Sequence, residues 1–133
     1  MPWARTGHTY TAYALGLLLV IQFFLAGLGI VELGNKDIEP HQMVGSLMQL
    51  LSLILLVFAV LARYRGPLLG MSISLFVLMV LQSVWAGVDV SVLRAVHVLG
   101  ALAIAMTLRE IIGVATAPGP EPAVSGAKPA PRA

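Results

Sequence analysis

The chain has 133 residues, of which 59% are hydrophobic and only 11% are charged. A soluble domain carries roughly 25% charged residues, so this chain lacks the polar side chains needed to cover a globule and its solvent must be lipid. The net charge of +2 is too small to indicate nucleic-acid binding. The absence of cysteine excludes disulfides, cysteine-ligated zinc and iron–sulfur clusters.

Four apolar segments, each about as long as the roughly 20 residues that cross a bilayer, predict an all-α integral membrane four-helix bundle. The segments are residues 10–31, 41–62, 68–87 and 92–114. With a short polar lead over residues 1–9 they form one domain, residues 1–114. The first segment is longer than the apolar core of a signal peptide, so we expect a retained anchor. Residues 115–133 are rich in proline, alanine and glycine, which predicts a disordered tail.

The distribution of basic residues predicts the orientation of the chain in a bacterial inner membrane. Four spans place both termini on one side, and six of the eight lysines and arginines fall on that side. The positive-inside rule then predicts that both termini are cytoplasmic. The second and fourth spans consequently begin at the same outer face, where His41 opens one span and His97 lies just inside the other.

The rare polar residues of the spans repeat between the two halves of the chain. The first and third spans share the pattern Q-x3-A-G, which begins at Gln22 and at Gln82. The second and fourth spans share a histidine followed four positions later by a small residue, in His41–Gly45 and His97–Ala101. This pattern indicates two hairpins related by a pseudo-two-fold axis along the membrane normal. If the helices pack in chain order, the two histidines face each other across the core.

Two neutral imidazoles that face each other at equal depth suit the axial positions of a b-type haem. We therefore predict that His41 and His97 bind the iron of haem b. Small residues would open a slot for the ring, namely Gly27, Gly45, Gly87 and Ala101. Arg94 lies on the same face as His97 and nearer to water, where it would pair with a propionate. Gln22 and Gln82 would orient the histidines through hydrogen bonds.

Each of these residues also has a plainer interpretation. A glutamine or histidine inside a membrane span commonly bonds helices together, and an arginine near a span end commonly snorkels to the interface. The protein would then be an accessory or scaffold subunit without a cofactor. Its partners would be lipid and a respiratory or other membrane complex, or a second copy of itself. No deep carboxylate, nucleophile triad or phosphate loop is visible in the sequence, so an enzyme is not predicted.

The chain resembles a family of small bacterial four-helix membrane proteins of unknown function. The residues that carry this resemblance are Gln22–Ile30, His41–Gly45, Ala59–Arg63, Val80–Gln82 and His97. It covers about residues 10–112 and implies no activity. The paired histidines on the second and fourth helices more loosely resemble one half of haem A synthase, and small b-type cytochromes. That likeness implies haem binding but not haem modification, because the acidic residue associated with the latter has no counterpart in a helix here.

Overall fold

The computed structural model describes residues 1–31, 39–86 and 91–117. In these residues the chain forms four α-helices and no strand, which confirms the all-α prediction. The helices are α1 (Pro2–Val31), α2 (Glu39–Leu61), α3 (Pro67–Ala86) and α4 (Ser91–Thr116). Nearly all of the predicted tail lies outside the described residues.

Helix α1 begins at Pro2, so the residues expected as a polar lead are helical. Proline suits the first position of a helix because it lacks the N–H that would be unpaired there. Thr6, Thr9 and Thr11 each donate their hydroxyl to the carbonyl four residues earlier, which satisfies these hydroxyls without interrupting the helix. The extra turns carry His8 into the bundle, where it is fully buried.

The helices pack in chain order around a ring. Neighbouring helices are in contact, α4 closes the ring against α1, and the backbones of the two diagonal pairs do not approach closely. One end of the bundle, which we call the terminal end, holds the start of α1, the α2–α3 turn and the end of α4. The other end, the loop end, holds the end of α1, the start of α2, the end of α3 and the start of α4.

The buried core repeats between the two hairpins. Ala12 and Leu15 of α1 occupy the same register as Ser72 and Leu75 of α3, and all four are buried. The same correspondence relates α2 to α4, whose buried residues are Met48, Ser52 and Leu55 on one and Ile104, Leu108 and Ile111 on the other. The fold is therefore two similar hairpins around one core, as the sequence repeat indicates.

The outer surface of the bundle is apolar. Large hydrophobic side chains remain exposed on every helix, for example Phe24 at 65%, Val60 at 60% and Leu102 at 56%. All four helices are long and apolar enough to cross a membrane. Contact with the acyl chains of a bilayer accounts for this surface, and the protein is a multi-pass membrane protein.

The turn between α2 and α3 is a Schellman motif. Arg63 adopts a left-handed conformation with φ 57°. The N–H of Tyr64 donates to the carbonyl of Ala59 at 3.1 Å, and the N–H of Arg63 donates to the carbonyl of Val60 at 2.9 Å. These bonds satisfy the last carbonyls of α2. The motif places Tyr64 against the core at the terminal end.

Candidate functional site

Two histidines meet across the core at the loop end. The rings of His41 on α2 and His97 on α4 have centroids 6.3 Å apart and planes inclined by 60°. Both side chains are half-buried. Helices α2 and α4 form one diagonal of the ring, and these two side chains meet across it. The topology predicted from sequence does bring this pair together.

A glutamine holds the backbone beside each of these histidines. Gln22 of α1 donates its amide Nε2 to the carbonyl of His41 at 2.9 Å. Gln82 of α3 donates its Nε2 to the carbonyl of His97 at 2.8 Å. The same contact therefore occurs once in each hairpin and ties its two helices together near the loop end. The sequence predicted that these glutamines orient the imidazoles, whereas the shared bond is to the histidine backbone.

The amide of Gln22 also determines which nitrogen of His41 carries the proton. Its Nε2 lies 3.2 Å from Nε2 of His41. An amide nitrogen can only donate, so the imidazole Nε2 accepts and the proton sits on Nδ1. This Nδ1 is buried and has no hydrogen-bond partner among the described residues. The His41 imidazole thus offers its Nε2 lone pair to Gln22 and leaves an N–H unpaired.

Four buried polar atoms at the loop end lack partners, one from each helix. Within the described part of the chain these atoms are Oε1 of Gln22, Nδ1 of His41, Oε1 of Gln82 and Nδ1 of His97. Buried polar groups are nearly always hydrogen-bonded, and exceptions commonly mark a functional site or a bound molecule. We take this cluster, which we call the loop-end cluster, as the candidate functional site.

The small residues predicted to clear a slot have different surroundings. A Cβ built on Gly45 would lie 3.3 Å from the amide nitrogen of Gln22, and one on Gly100 would lie 2.8 Å from Oε1 of Gln82. Each glutamine therefore passes over a glycine of the neighbouring helix. On α4 that glycine is Gly100, which the sequence did not single out, while Ala101 is half-buried. Gly27 is exposed, with no atom within 4 Å of where its Cβ would stand.

Two predicted site residues fall outside this description. Gly87 lies outside the described residues, and Arg94 is described only as part of the backbone of α4. The predicted roles of Gly87 in a slot and of Arg94 with a propionate stay predictions.

The two imidazoles of the loop-end cluster have the spacing of two ligands on one metal ion. An imidazole nitrogen binds a first-row metal ion at about 2 Å, so two imidazoles on one iron have ring centroids roughly 6 Å apart. The observed 6.3 Å matches this spacing. The amides of Gln22 and Gln82 lie beside these histidines. They would have to make room for a prosthetic group held by the two imidazoles.

A bare metal ion with several ionisable ligands has less support. No group of three or more His, Asp or Glu side chains within the described ranges has the spacing to hold a metal ion. The loop-end cluster contains two imidazoles and two neutral amides only.

A third histidine, His8, lies in the segment predicted as a polar lead and is the most buried of the three. Nε2 of His8 on α1 lies 3.1 Å from Oγ of Ser72 on α3. The imidazole stacks edge-on against Tyr64, with ring centroids 5.0 Å apart. His8 thus bridges the α1–α3 diagonal at the terminal end, just as His41 and His97 bridge the α2–α4 diagonal at the loop end.

The hydrogen bonds of Ser72 do not fit a role as an activated nucleophile. Its hydroxyl proton is donated to the carbonyl of Leu68 at 2.8 Å. The Oγ can then only accept from His8, so His8 carries its proton on Nε2 and does not act as a base toward Ser72. The Nδ1 of His8 keeps a lone pair, is buried, and has no partner among the described residues.

The spacing of α1 could have revealed His8. His8, Ala12, Leu15, Leu19 and Gln22 follow one another at intervals of four and three, which places them on one face of a helix. Extending the buried stripe of the apolar segment backward from Gln22 would have included His8. The helical start at Pro2 was the missing element.

Comparison with known proteins identifies a family but no activity. The model of the family of unknown function DUF6220 matches residues 22–89, which is half of the chain. The matched segment starts at Gln22, includes His41 and Gln82, and ends before His97. No curated protein and no solved structure matches the chain, so the likeness to haem A synthase and to cytochromes gains no support. The chain belongs to the DUF6220 family of unknown function.

Proposed function

We propose that this protein binds haem b between His41 and His97 at the loop end, for electron transfer or haem handling. The observation that carries the proposal is the 6.3 Å spacing of two imidazoles across the bundle core. Bound haem supplies a one-electron redox couple whose potential the axial ligands and surrounding dielectric adjust. The protein's own part is to hold the two imidazoles at equal depth and to keep the ring in an apolar bundle.

The glutamines have a defined part in this proposal. Gln22 and Gln82 fix the backbone at His41 and His97 through the two carbonyl bonds. The second contact of Gln22, to Nε2 of His41, occupies the lone pair that would bind iron. Release of that contact would free the ligand nitrogen, and the amide lies close above Gly45, where a Cβ would stand 3.3 Å from it.

We further propose that the protein lies in a bacterial inner membrane with both termini in the cytoplasm. The described terminal end carries four arginines and one glutamate, namely Arg5, Arg63, Arg65, Arg109 and Glu110. This excess of positive charge favours the cytoplasmic side. The haem site then lies toward the outer leaflet, where Arg94 would pair with a propionate.

The absorption spectrum of the purified protein tests haem binding. Protein from haem-replete cells should show a low-spin b-type band that sharpens on reduction. His97→Ala should abolish the band, and His41→Ala should abolish it or turn the haem high-spin. His8→Leu is the matched control, because it removes a buried histidine at the opposite end and should leave the band intact.

Two outcomes would contradict the haem proposal. A folded, colourless protein that also refuses added hemin has no such site. A band that survives both His41→Ala and His97→Ala would show that other residues hold the iron. Folding of each variant is checked by circular dichroism and gel filtration in detergent.

The second candidate function is an accessory or scaffold subunit of a membrane complex, or of an assembly with a second copy. The two glutamine bonds favour it, because they tie each hairpin together without a cofactor. The colourless outcome above, with a stable protein that co-purifies with a membrane complex, would support this candidate.

The chain contains no cysteine, so single-cysteine labelling tests the orientation directly. Asn35→Cys should react with an impermeant thiol reagent from the outside of whole cells. A cysteine in place of Ser125, in the tail, should react only after the cells are opened. Reversed labelling would overturn the orientation while leaving the proximity of His41 and His97 untouched.

A further inference from the structure

The terminal end contains a cleft that the haem proposal does not use. It has a volume of about 500 Å³ and opens between the start of α1, the α2–α3 turn and the end of α4. Its polar lining residues include Arg5, Thr6, Thr9 and three tyrosines, and its apolar ones include Leu68 and Val114. We call it the terminal cleft. One cationic side chain, several phenols and apolar side chains thus line the same cleft, and this combination suits an anionic amphiphile.

The charged group of the cleft is held in place. The guanidinium of Arg5 lies 5.9 Å from the centre of the Tyr64 ring, which is within the range of a cation–π contact. Tyr64 is fixed in turn by the Schellman motif and by its edge contact with His8. Arg5 therefore projects from a rigid base, and the side chain is exposed, so its charge remains available at the mouth.

Two threonine hydroxyls of the cleft are already engaged and cannot donate to a ligand. Thr6 and Thr9 already donate their protons to helix carbonyls at 3.2 Å and 3.1 Å. The donors that remain are the guanidinium of Arg5 and the phenols of Tyr10, Tyr13 and Tyr64. No carboxylate lines the cleft among the described residues. The acid nearest in the sequence of α4, Glu110, is paired with Arg109 at 3.2 Å.

We propose that the terminal cleft binds the headgroup of an anionic phospholipid, such as phosphatidylglycerol. The phosphate would lie against Arg5 and the tyrosine phenols, and an acyl chain would run along the apolar surface of α1 and α4. A helix end of a membrane-spanning bundle lies at the level of lipid phosphates, and basic pockets between such helices are a known way to recognise anionic lipids. The inference is independent of the haem site, which lies at the opposite end.

Native mass spectrometry of the full-length protein in detergent tests the site. At equal chain length, phosphatidylglycerol should bind in a defined complex, and phosphatidylcholine should bind several-fold more weakly. Arg5→Gln should weaken phosphatidylglycerol binding by about fivefold, as expected for the loss of one basic residue beside an anionic lipid. Arg5→Lys should restore most of the binding, and Tyr64→Phe should cause a smaller loss.

Arg109→Gln is the matched control, because it removes a positive charge at the same end but outside the cleft. It should leave phosphatidylglycerol binding within a factor of two. Equal losses in Arg5→Gln and Arg109→Gln would refute a specific site and indicate general attraction to a positive surface. Soluble glycerol phosphate is added at the lipid concentration that saturates the site. If it displaces phosphatidylglycerol there, the lipid is refuted as occupant and the cleft is assigned to a free phosphate compound.

Discussion

Replacement of Ser72 by alanine should destabilise the bundle unless His8 is replaced at the same time. Ser72→Ala removes the acceptor of the His8 Nε2–H and leaves that N–H buried with no partner. His8→Leu has a different effect, because the Ser72 hydroxyl keeps its own acceptor, the carbonyl of Leu68. The double variant leaves neither group unsatisfied.

The internal repeat shows which side chains can replace His8 and Ser72 in this double-mutant cycle. Leu68 of α3 occupies the register position that corresponds to His8, and Ala12 of α1 occupies the one that corresponds to Ser72. Both are buried, at 9% and 0% exposure. Leucine and alanine are therefore already accommodated at this diagonal, and the double variant His8→Leu with Ser72→Ala introduces no side chain larger than the bundle tolerates.

The expected changes in the free energy of unfolding follow from which buried hydrogen-bonding groups keep a partner in each variant. A stranded buried donor costs about 1–3 kcal/mol, and hydrogen bonds between membrane helices average about 0.6 kcal/mol with a maximum near 1.7. We expect Ser72→Ala to lower the free energy of unfolding by about 1–2 kcal/mol. His8→Leu should cost about 0.5 kcal/mol or less, and the double variant should lie within about 0.5 kcal/mol of the original protein, giving a coupling of about 1 kcal/mol.

Reversible unfolding in mixed micelles with increasing dodecyl sulfate measures these values. Circular dichroism at 222 nm measures the loss of helix in every variant. Ser52→Ala is the matched control, since Ser52 is equally buried but bonds only to the Gln49 carbonyl of its own helix, at 2.7 Å. It should change the stability by less than about 0.5 kcal/mol. The assigned proton positions would be refuted if the stability losses of His8→Leu and Ser72→Ala simply add in the double variant. They would also be refuted if His8→Leu lowers the free energy of unfolding more than Ser72→Ala does.

Three further substitutions test local features in the same unfolding assay. Gly7→Ala should lower stability by about 1 kcal/mol or more because the added Cβ would stand 2.7 Å from the ring of Phe58. Gly27→Ala, its matched control on the same helix, meets no atom within 4 Å and should raise stability by up to about 1 kcal/mol; equal effects would contradict the packing at Gly7. Arg63→Gly should raise stability by about 1 kcal/mol, because Arg63 holds a left-handed φ of 57° that glycine adopts without strain. A loss of stability in Arg63→Gly would show that the side chain contributes more than its backbone strain costs.

The fold was predictable because its determinants are long-range averages of the sequence. The four helices follow from apolar length, and their order around the ring follows from short connections. The meeting of His41 and His97 followed from topology, since both stand near the start of a helix that begins at the same end. The similarity of the two hairpins was predictable from Gln22 and Gln82. Polar residues are rare in such spans, so their recurrence at equivalent positions indicates a structural repeat.

The details of the loop-end cluster were not predictable, because they depend on side-chain rotamers. Nothing in the pattern indicates that Gln22 reaches the backbone of His41 as well as its ring. The glycine beneath Gln82 is Gly100 rather than the residue one position later, a difference of about 100° around the helix. Spacing alone cannot resolve a choice between adjacent positions when both residues are small.

The comparison of the two hairpins distinguishes residues that the fold requires from residues that it only accommodates. The core positions are equivalent in both hairpins, and both glutamines make the same bond to a histidine carbonyl. At the terminal end the equivalence fails, because His8 and Ser72 stand where the other half has Leu68 and Ala12. Replacing both members of a buried hydrogen-bonded pair by apolar residues of similar shape can be nearly neutral for stability. Because the same bundle already holds leucine and alanine at these register positions, packing does not require the histidine. If His8→Leu keeps the stability of the original protein in the unfolding cycle, then stability does not account for the histidine beside the terminal cleft.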